Sequence, residues 1–228
     1  MTKYNLSPTT LNLFINCPRC FWLHINHGIK RPRGIFPSLP GGMDSIIKNY
    51  FDQYRIKGEL PEEIEGAVTG KLFSDIDILK KWRSWKLTNL RYEDKTLNTV
   101  LTGALDDCIV EDEFFIPLDY KTRGWEIKEN SSYYYQTQLD CYCLILESSG
   151  YKTKGIAYLV YYWPEEVIKN GIVKFRVKPI KMKTNIESAR RIVNDAITLL
   201  SGTIPKSHPD CEYCNLVINR KGSDEHEK

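Results

Sequence analysis

The chain has 228 residues, 42% hydrophobic and 12% aromatic, enough for the packed core of one large domain, and its net charge of +3 permits a nucleic-acid partner without arguing for one. No apolar run approaches the ~20 residues that span a bilayer, which excludes a membrane-spanning helix. The N-terminus runs straight into a polar helix start, so we expect a cytoplasmic chain without a signal peptide or membrane partner, whose seven cysteines are metal ligands and buried apolar residues rather than disulfides.

In chain order, Ser7-Pro8 before Leu11, Phe14 and Ile15 predicts a helix start, and Pro18 ends or bends that helix. Phe21, Trp22 and Leu23 read as core. The Pro-, Gly- and basic-rich stretch from Gly28 to Pro40 reads as a loop. Ile46, Ile47, Tyr50, Phe51 and Tyr54 recur at helical spacing between Gly42 and Lys57, with Gly58 as the stop. Residues 59–95 read as an insertion of short helices. Thr99 to Val110 and Phe114 to Tyr120 are β-rich and joined by Glu111-Asp112-Glu113, a predicted hairpin. Tyr133 to Glu147 is helical, and Gly150 turns the chain. Two strands, Lys154 to Trp163 and Ile172 to Lys181, flank a turn-like stretch from Pro164 to Gly171. Thr184-Asn185-Ile186-Glu187 reads as a capping box opening a last long helix that Gly202 closes. The expected organisation is one domain over 1–220 with a disordered tail at 221–228. The fold class is α/β: a mixed β-sheet flanked by helices, not doubly wound.

Cysteines mark both ends of this order: Cys17-Pro18-Arg19-Cys20 and Cys211-Glu212-Tyr213-Cys214. Two CxxC pairs complete a four-thiolate shell if the fold brings the ends together, and such a shell suits [4Fe–4S] or Zn²⁺. Cys108, Cys141 and Cys143 lie in apolar stretches and read as core. His24, His27, His208 and His226 have no mutual metal-binding spacing and read as surface or packing residues.

Between the cysteine pairs lies a second constellation. Asp119 and Lys121 are two apart on a strand and share one face, and Asp106 can reach the same spot from the paired strand. Two carboxylates, with the backbone carbonyl of Tyr120 as a further oxygen, suit Mg²⁺ or Mn²⁺. A hard cation lowers the pKa of water and neutralises charge building on a phosphate, while a neighbouring lysine stabilises the transition state. Gln138 and Tyr142, four apart, share a helical face that, packed beside the hairpin, would place Gln138 at the metal-bound water or the phosphate and Tyr142 at a nucleic-acid backbone, leaving Leu139, Cys143 and Leu146 toward the core.

The stretches LSPTTLNLFINCPRCFWL, LTGALDD, FIPLDYKT, YQTQLDCYCLIL and CEYC, in this order from Leu6 to Cys214, resemble the PD-(D/E)XK nuclease superfamily. More narrowly, they resemble its RecB-like branch, which includes iron–sulfur exonucleases associated with CRISPR adaptation and AddB-type nuclease domains. The resemblance implies a restriction-endonuclease-like core and metal-dependent DNA cleavage. Asp106 and Asp119 would be metal ligands, Lys121 the catalytic lysine, and Gln138 and Tyr142 the auxiliary motif. It implies exonuclease action on single-stranded or end-containing DNA, with CRISPR-adaptation or recombination proteins as partners. An endonuclease or nickase of the same superfamily and an inactive nucleic-acid-binding module are the alternatives.

Two departures stand out. The branch often carries a histidine ligand after a glycine in the helix before the hairpin. Here Gly41-Gly42-Met43-Asp44 offers Asp44 instead, either as a metal ligand or as a helix-start residue paired with Lys48. The iron–sulfur relatives usually take one N-terminal and three C-terminal cysteines, whereas this chain offers two and two. The resemblance favours the cluster and leaves zinc as the alternative. Arg19, Lys30, Arg31, Arg33 and Arg123 are candidates for a DNA-backbone channel. Trp22, Trp82, Trp85 and Trp125 are candidates for base stacking, with Trp125 preferred and Trp22 closer to core.

Overall fold

The structure is a computed structural model that describes residues 3–32, 34 and 38–217. Its elements in order are β1 (Tyr4–Leu6), α1 (Pro8–Asn16), α2 (Pro18–His27), α3 (Ser38–Lys57), β2 (Lys71–Leu72), α4 (Ile76–Trp82), β3 (Arg91–Asp94), β4 (Thr99–Thr102), β5 (Asp107–Glu111), β6 (Phe114–Thr122), α5 (Gln136–Ser148), β7 (Ile156–Ile168), β8 (Ile172–Lys183) and α6 (Ile186–Ser201). No helix among the described residues is long and apolar enough to cross a membrane.

Local sequence accounts for the helix boundaries. Ser7 caps α1: the Thr10 N–H donates to Ser7 Oγ, and the Ser7 N–H donates to Thr10 Oγ1 at 2.8 Å. Pro18 cannot continue α1, yet its fixed φ suits a first helical turn, so Cys17 becomes both the last cap of α1 and the first of α2. Gly28 ends α2 in the left-handed region at φ 67°.

Two sheets form. The smaller has the order β1-β4-β3 and the larger β2-β5-β6-β7-β8, with β6 and β7 parallel and the other pairs of the larger sheet antiparallel. Period-2 alternation along β7 divides the molecule. Ala157, Leu159, Tyr161 and Trp163 join a core with α1, α2, α5 and α6, while Tyr158, Val160 and Tyr162 join a second core under α3. The larger sheet thus lies between α3 and α5. Residues Leu139 to Leu146 of α5 are buried without interruption, as befits a helix covered on every side.

Several expectations need correction. The run Thr99–Val110 is not one strand. It breaks at Gly103-Ala104-Leu105-Asp106, so β4 lies in the small sheet and only β5 pairs with β6. A side chain at Gly103 would press on Tyr142 and Ile145 at 3.2 and 3.3 Å, so the link crosses close over α5 and turns there. Residues 59–95 hold one helix, α4, together with β2 and β3, which pair into the two sheets. α3 begins at Ser38, inside the expected loop. The turn is confined to the end of the expected stretch, Lys169–Gly171: β7 continues through Pro164 to Ile168 and β8 starts at Ile172, because an antiparallel partner satisfies the backbone well beyond the core. Asn185, not Thr184, caps α6, by accepting the Glu187 and Ser188 N–H groups. Arg33, His226 and the tail after Arg220 lie outside the described residues.

Candidate active site and four-cysteine centre

Asp119 and Lys121 project together from the α5 face of β6, and the Lys121 ammonium contacts Asp119 Oδ2. Across from them, α5 presents Gln138. Its Nε2 donates to Asp119 Oδ1 at 3.2 Å and to the Tyr142 hydroxyl at 2.6 Å, while its Oε1 accepts from Lys121 at 3.2 Å. Lys121 also lies over the ring of Tyr135, 4.5 Å from its centroid. Tyr142 is 4% exposed, and its hydroxyl accepts from Gln138. The Tyr120 side chain points to the opposite face, against Phe51 at 4.8 Å, which leaves only its backbone toward the site.

Asp106 joins from the link before β5. It lies close enough for its charge to act on Asp119. From the other face of the sheet, α3 contributes Lys48, whose Nζ is 2.8 Å from Asp106 Oδ1 and 2.8 Å from Asp44 Oδ2. The pairing of Asp44 with Lys48 therefore holds, and Asp44 is linked to the site through that lysine. Burial, followed by the charge of Asp106, pushes the Asp119 carboxyl up to about 7 against the pull of Lys121. Burial alone would depress the ammoniums of Lys121 and Lys48, but Asp119 for the first and Asp106 for the second outweigh it and hold both above the ordinary lysine value. Asp119 Oδ2 is buried, and apart from the Lys121 contact it receives no directed hydrogen bond. A buried carboxylate oxygen left in that condition beside a second carboxylate fits a cation site.

Beneath the site lies a buried ion network that almost no sequence pattern marks. Asp107, the neighbour of Asp106, is fully buried and receives four charge-assisted or hydroxyl bonds. Arg55 gives 2.7 Å to each oxygen, Arg83 gives 3.0 Å, and the Tyr120 hydroxyl gives 2.6 Å. Arg83 also donates to the Asp106 carbonyl at 2.7 Å and forms two bonds to Asp52. The link that carries Asp106 is thereby bolted to α3 and α4. The only trace in sequence is Asp52 three residues before Arg55 on one helix face; a buried ion network otherwise leaves no periodic signal.

At the opposite end of α1, Cys17, Cys20, Cys211 and Cys214 place their sulfurs within 4.8 Å of one another, as the single such ligand group among the described residues. Cys20 lies 3.6 Å from both Cys211 and Cys214, and Cys17 lies 3.9 Å from Cys214. A tetrahedron around one ion with metal–sulfur bonds of 2.3 Å has edges of about 3.8 Å. A four-iron cluster puts each sulfur on a different iron and spreads them further. Burial alone would raise the Cys17 thiol, but the backbone N–H groups of Cys20 and His208 bring it down to about 6, whereas burial pushes Cys20 and Cys214 up. Arg31 faces the group at 3.5 Å from Cys211 Sγ, and Arg19 donates to the Pro205 carbonyl. These two basic residues are engaged at the cysteine centre. Cys108, Cys141 and Cys143 are buried core residues, as expected.

Of the stacking candidates, Trp82 is fully buried and stacked on Phe73 at 5.0 Å, which removes it; Trp22 packs against the core and donates to the Gly202 carbonyl. Trp85 and Trp125 are exposed. Trp85 walls a cavity of about 440 Å³ that opens beside Gln138 and Tyr142.

A family model described as the PD-(D/E)XK nuclease superfamily matches residues 43–217, well over half of the chain. The match takes in every residue of the Asp106–Asp119–Lys121 constellation and the second cysteine pair; Cys17 and Cys20 precede it. No curated protein matches the chain.

Proposed function

The chain belongs to the PD-(D/E)XK nuclease superfamily, and from that premise we propose that it is a metal-dependent deoxyribonuclease acting as an exonuclease on single-stranded or end-containing DNA. The observation that carries this reading is the convergence of Asp106, Asp119, Lys121 and Gln138 at one end of the larger sheet. Mg²⁺ or Mn²⁺ bound there would supply a Lewis acid that activates water for attack on a phosphodiester. The carboxylates of Asp106 and Asp119 and the carbonyl of Tyr120 would hold it, with Asp44 as an outer carboxylate. Lys121 places positive charge where the phosphate gathers negative charge in the transition state. Gln138 fixes both Asp119 and Lys121, and Tyr142 fixes Gln138. The preference for unpaired DNA is supported by the cavity beside Gln138, where Trp85 offers a face on which a base can stack.

The cysteine centre we assign to a single Zn²⁺ rather than to the [4Fe–4S] cluster that the resemblance favours. Its support is that three of the six sulfur pairs lie 3.6 to 3.9 Å apart and all four sulfurs lie within 4.8 Å of one another. Its role is to join the chain ends, not to take part in cleavage. Proteins of CRISPR adaptation or recombination are the proposed partners, since both settings generate DNA ends.

End-labelled single strands, duplexes and circular DNA incubated with Mn²⁺ test the activity. Linear single strands should shorten from an end, and Lys121→Ala should cut about a hundredfold more slowly. Cleavage of circles would make the protein an endonuclease. Binding without cleavage of any substrate would make it a binding module. A colourless protein with one zinc per chain supports the metal assignment; a brown one overturns it.

A further inference from the structure

The active-site constellation contains a cation that none of the roles above uses. Lys48 reaches from α3, on the far face of the larger sheet, to within 2.8 Å of Asp106 Oδ1, and it is held there by Asp44 at 2.8 Å, one helical turn before it. Its side chain is 18% exposed, at the rim of the site. We propose that Lys48 is a second catalytic lysine: it neutralises Asp106 while the cation is absent, and it turns to the scissile phosphate once the cation takes Asp106. This rests on the nuclease reading above.

Three observations carry it. First, the charges are arranged as two matched pairs, Lys48 on Asp106 and Lys121 on Asp119. Were Asp106 and Asp119 to hold a divalent ion, Lys48 and Lys121 would both be freed from their carboxylates. With Asp44 counted, the filled site then bears a net single positive charge, matched to one phosphodiester. Second, a mere tether between α3 and the Asp106 link is redundant, because fully buried Asp107 already makes that join through Arg55 and Arg83. Third, the residue is a lysine. A point charge on a flexible stem with three donors can release Asp106 while Asp44 retains it as a pivot, which a planar guanidinium locked in two bonds would not do. No bond to Lys48 forms or breaks in this role; the ammonium only accompanies the phosphate oxygen as charge develops on it.

The test uses the zinc-containing protein and reads Mn²⁺ affinity, from the electron paramagnetic resonance of free Mn²⁺, separately from turnover of a single-stranded oligonucleotide. Lys48→Met should bind Mn²⁺ about tenfold tighter, since Asp106 no longer has a competing partner. Its kcat should nevertheless fall about a hundredfold. Lys48→Gln, which keeps a hydrogen bond to Asp106, should move both readouts in the same directions and serves if Lys48→Met does not fold. Affinity that stays level or weakens marks a structural tether and overturns the proposal, as does tighter binding with the kcat of the unmodified protein. If the unmodified protein cleaves nothing while Lys48→Met still binds Mn²⁺ more tightly, the nuclease reading fails and the competition at Asp106 stands.

Discussion

At Asp119 burial and a like charge act in the same direction. It is 1% exposed, faces another carboxylate, and has Lys121 in contact on one oxygen. Its folded-state pKa of about 7 lies above the value of 3.8 for a free aspartate. Metal-free folded protein therefore keeps a proton that the unfolded chain has already lost between those values. This group contributes stability fully below about pH 4 and loses it as pH rises through 7. A divalent cation needs the ionised carboxylate, so the dependence of its binding is the reverse. With the cysteine centre filled, Mn²⁺ affinity should rise by up to tenfold per pH unit between pH 5.5 and 7 and level off above. Calorimetric titrations across that range that give one flat affinity would show Asp119 to be ionised throughout.

At the scale of elements, the candidate active site depends on a break in a strand. The β-rich composition of residues 99–110 suits one long strand, and the chain instead changes sheets at Gly103, where an added side chain would crowd Tyr142 and Ile145 of α5. The break leaves Asp106 in irregular backbone, and the buried bonds of Asp107 to Arg55, Arg83 and Tyr120 fix that backbone to α3, α4 and β6. Removing one partner strands a charge that has no water to return to. Arg55→Met should thus cost about 3–5 kcal/mol of stability. Urea unfolding monitored by circular dichroism measures it, and a midpoint unchanged from the parent protein would mean that Asp107 needs only Arg83. The paired variant Arg55→Met with Asp107→Leu should recover much of the loss, because no buried charge is then left alone.

At the scale of the whole molecule, the cysteine centre closes nearly the entire chain into a ring. Cys20 and Cys211 are 191 residues apart in sequence and 3.6 Å apart in space. A cross-link over a loop of that length restricts the unfolded chain by about 5 kcal/mol on the chain-entropy scale. Stripping the metal, or substituting Cys211→Ser, should lower the unfolding midpoint accordingly. A stripped protein that unfolds at the same urea concentration as the loaded one would reduce the centre to a local ornament of α1 and α2.

Period and spacing alone determined much of this protein. Period 2 put Asp119 and Lys121 on one face, period 3.6 put Gln138 and Tyr142 on another, and each CxxC spacing brought two sulfurs within reach of one ion. These relations are local, set by backbone geometry over a few residues, so they are written in the chain. Tertiary structure decided the rest. The change of sheet at Gly103, the length of the β7–β8 hairpin and the bonding of Asp107 depend on partners tens of residues away. Lys48 belongs to the same class: in sequence it is one polar residue on a helix, and only the approach of α3 to the end of the sheet gives it Asp106 as a partner. The two CxxC pairs in sequence permit a closed four-sulfur shell, but the spacing of the four sulfurs, on which the choice of ion depends, is a property of the assembled fold.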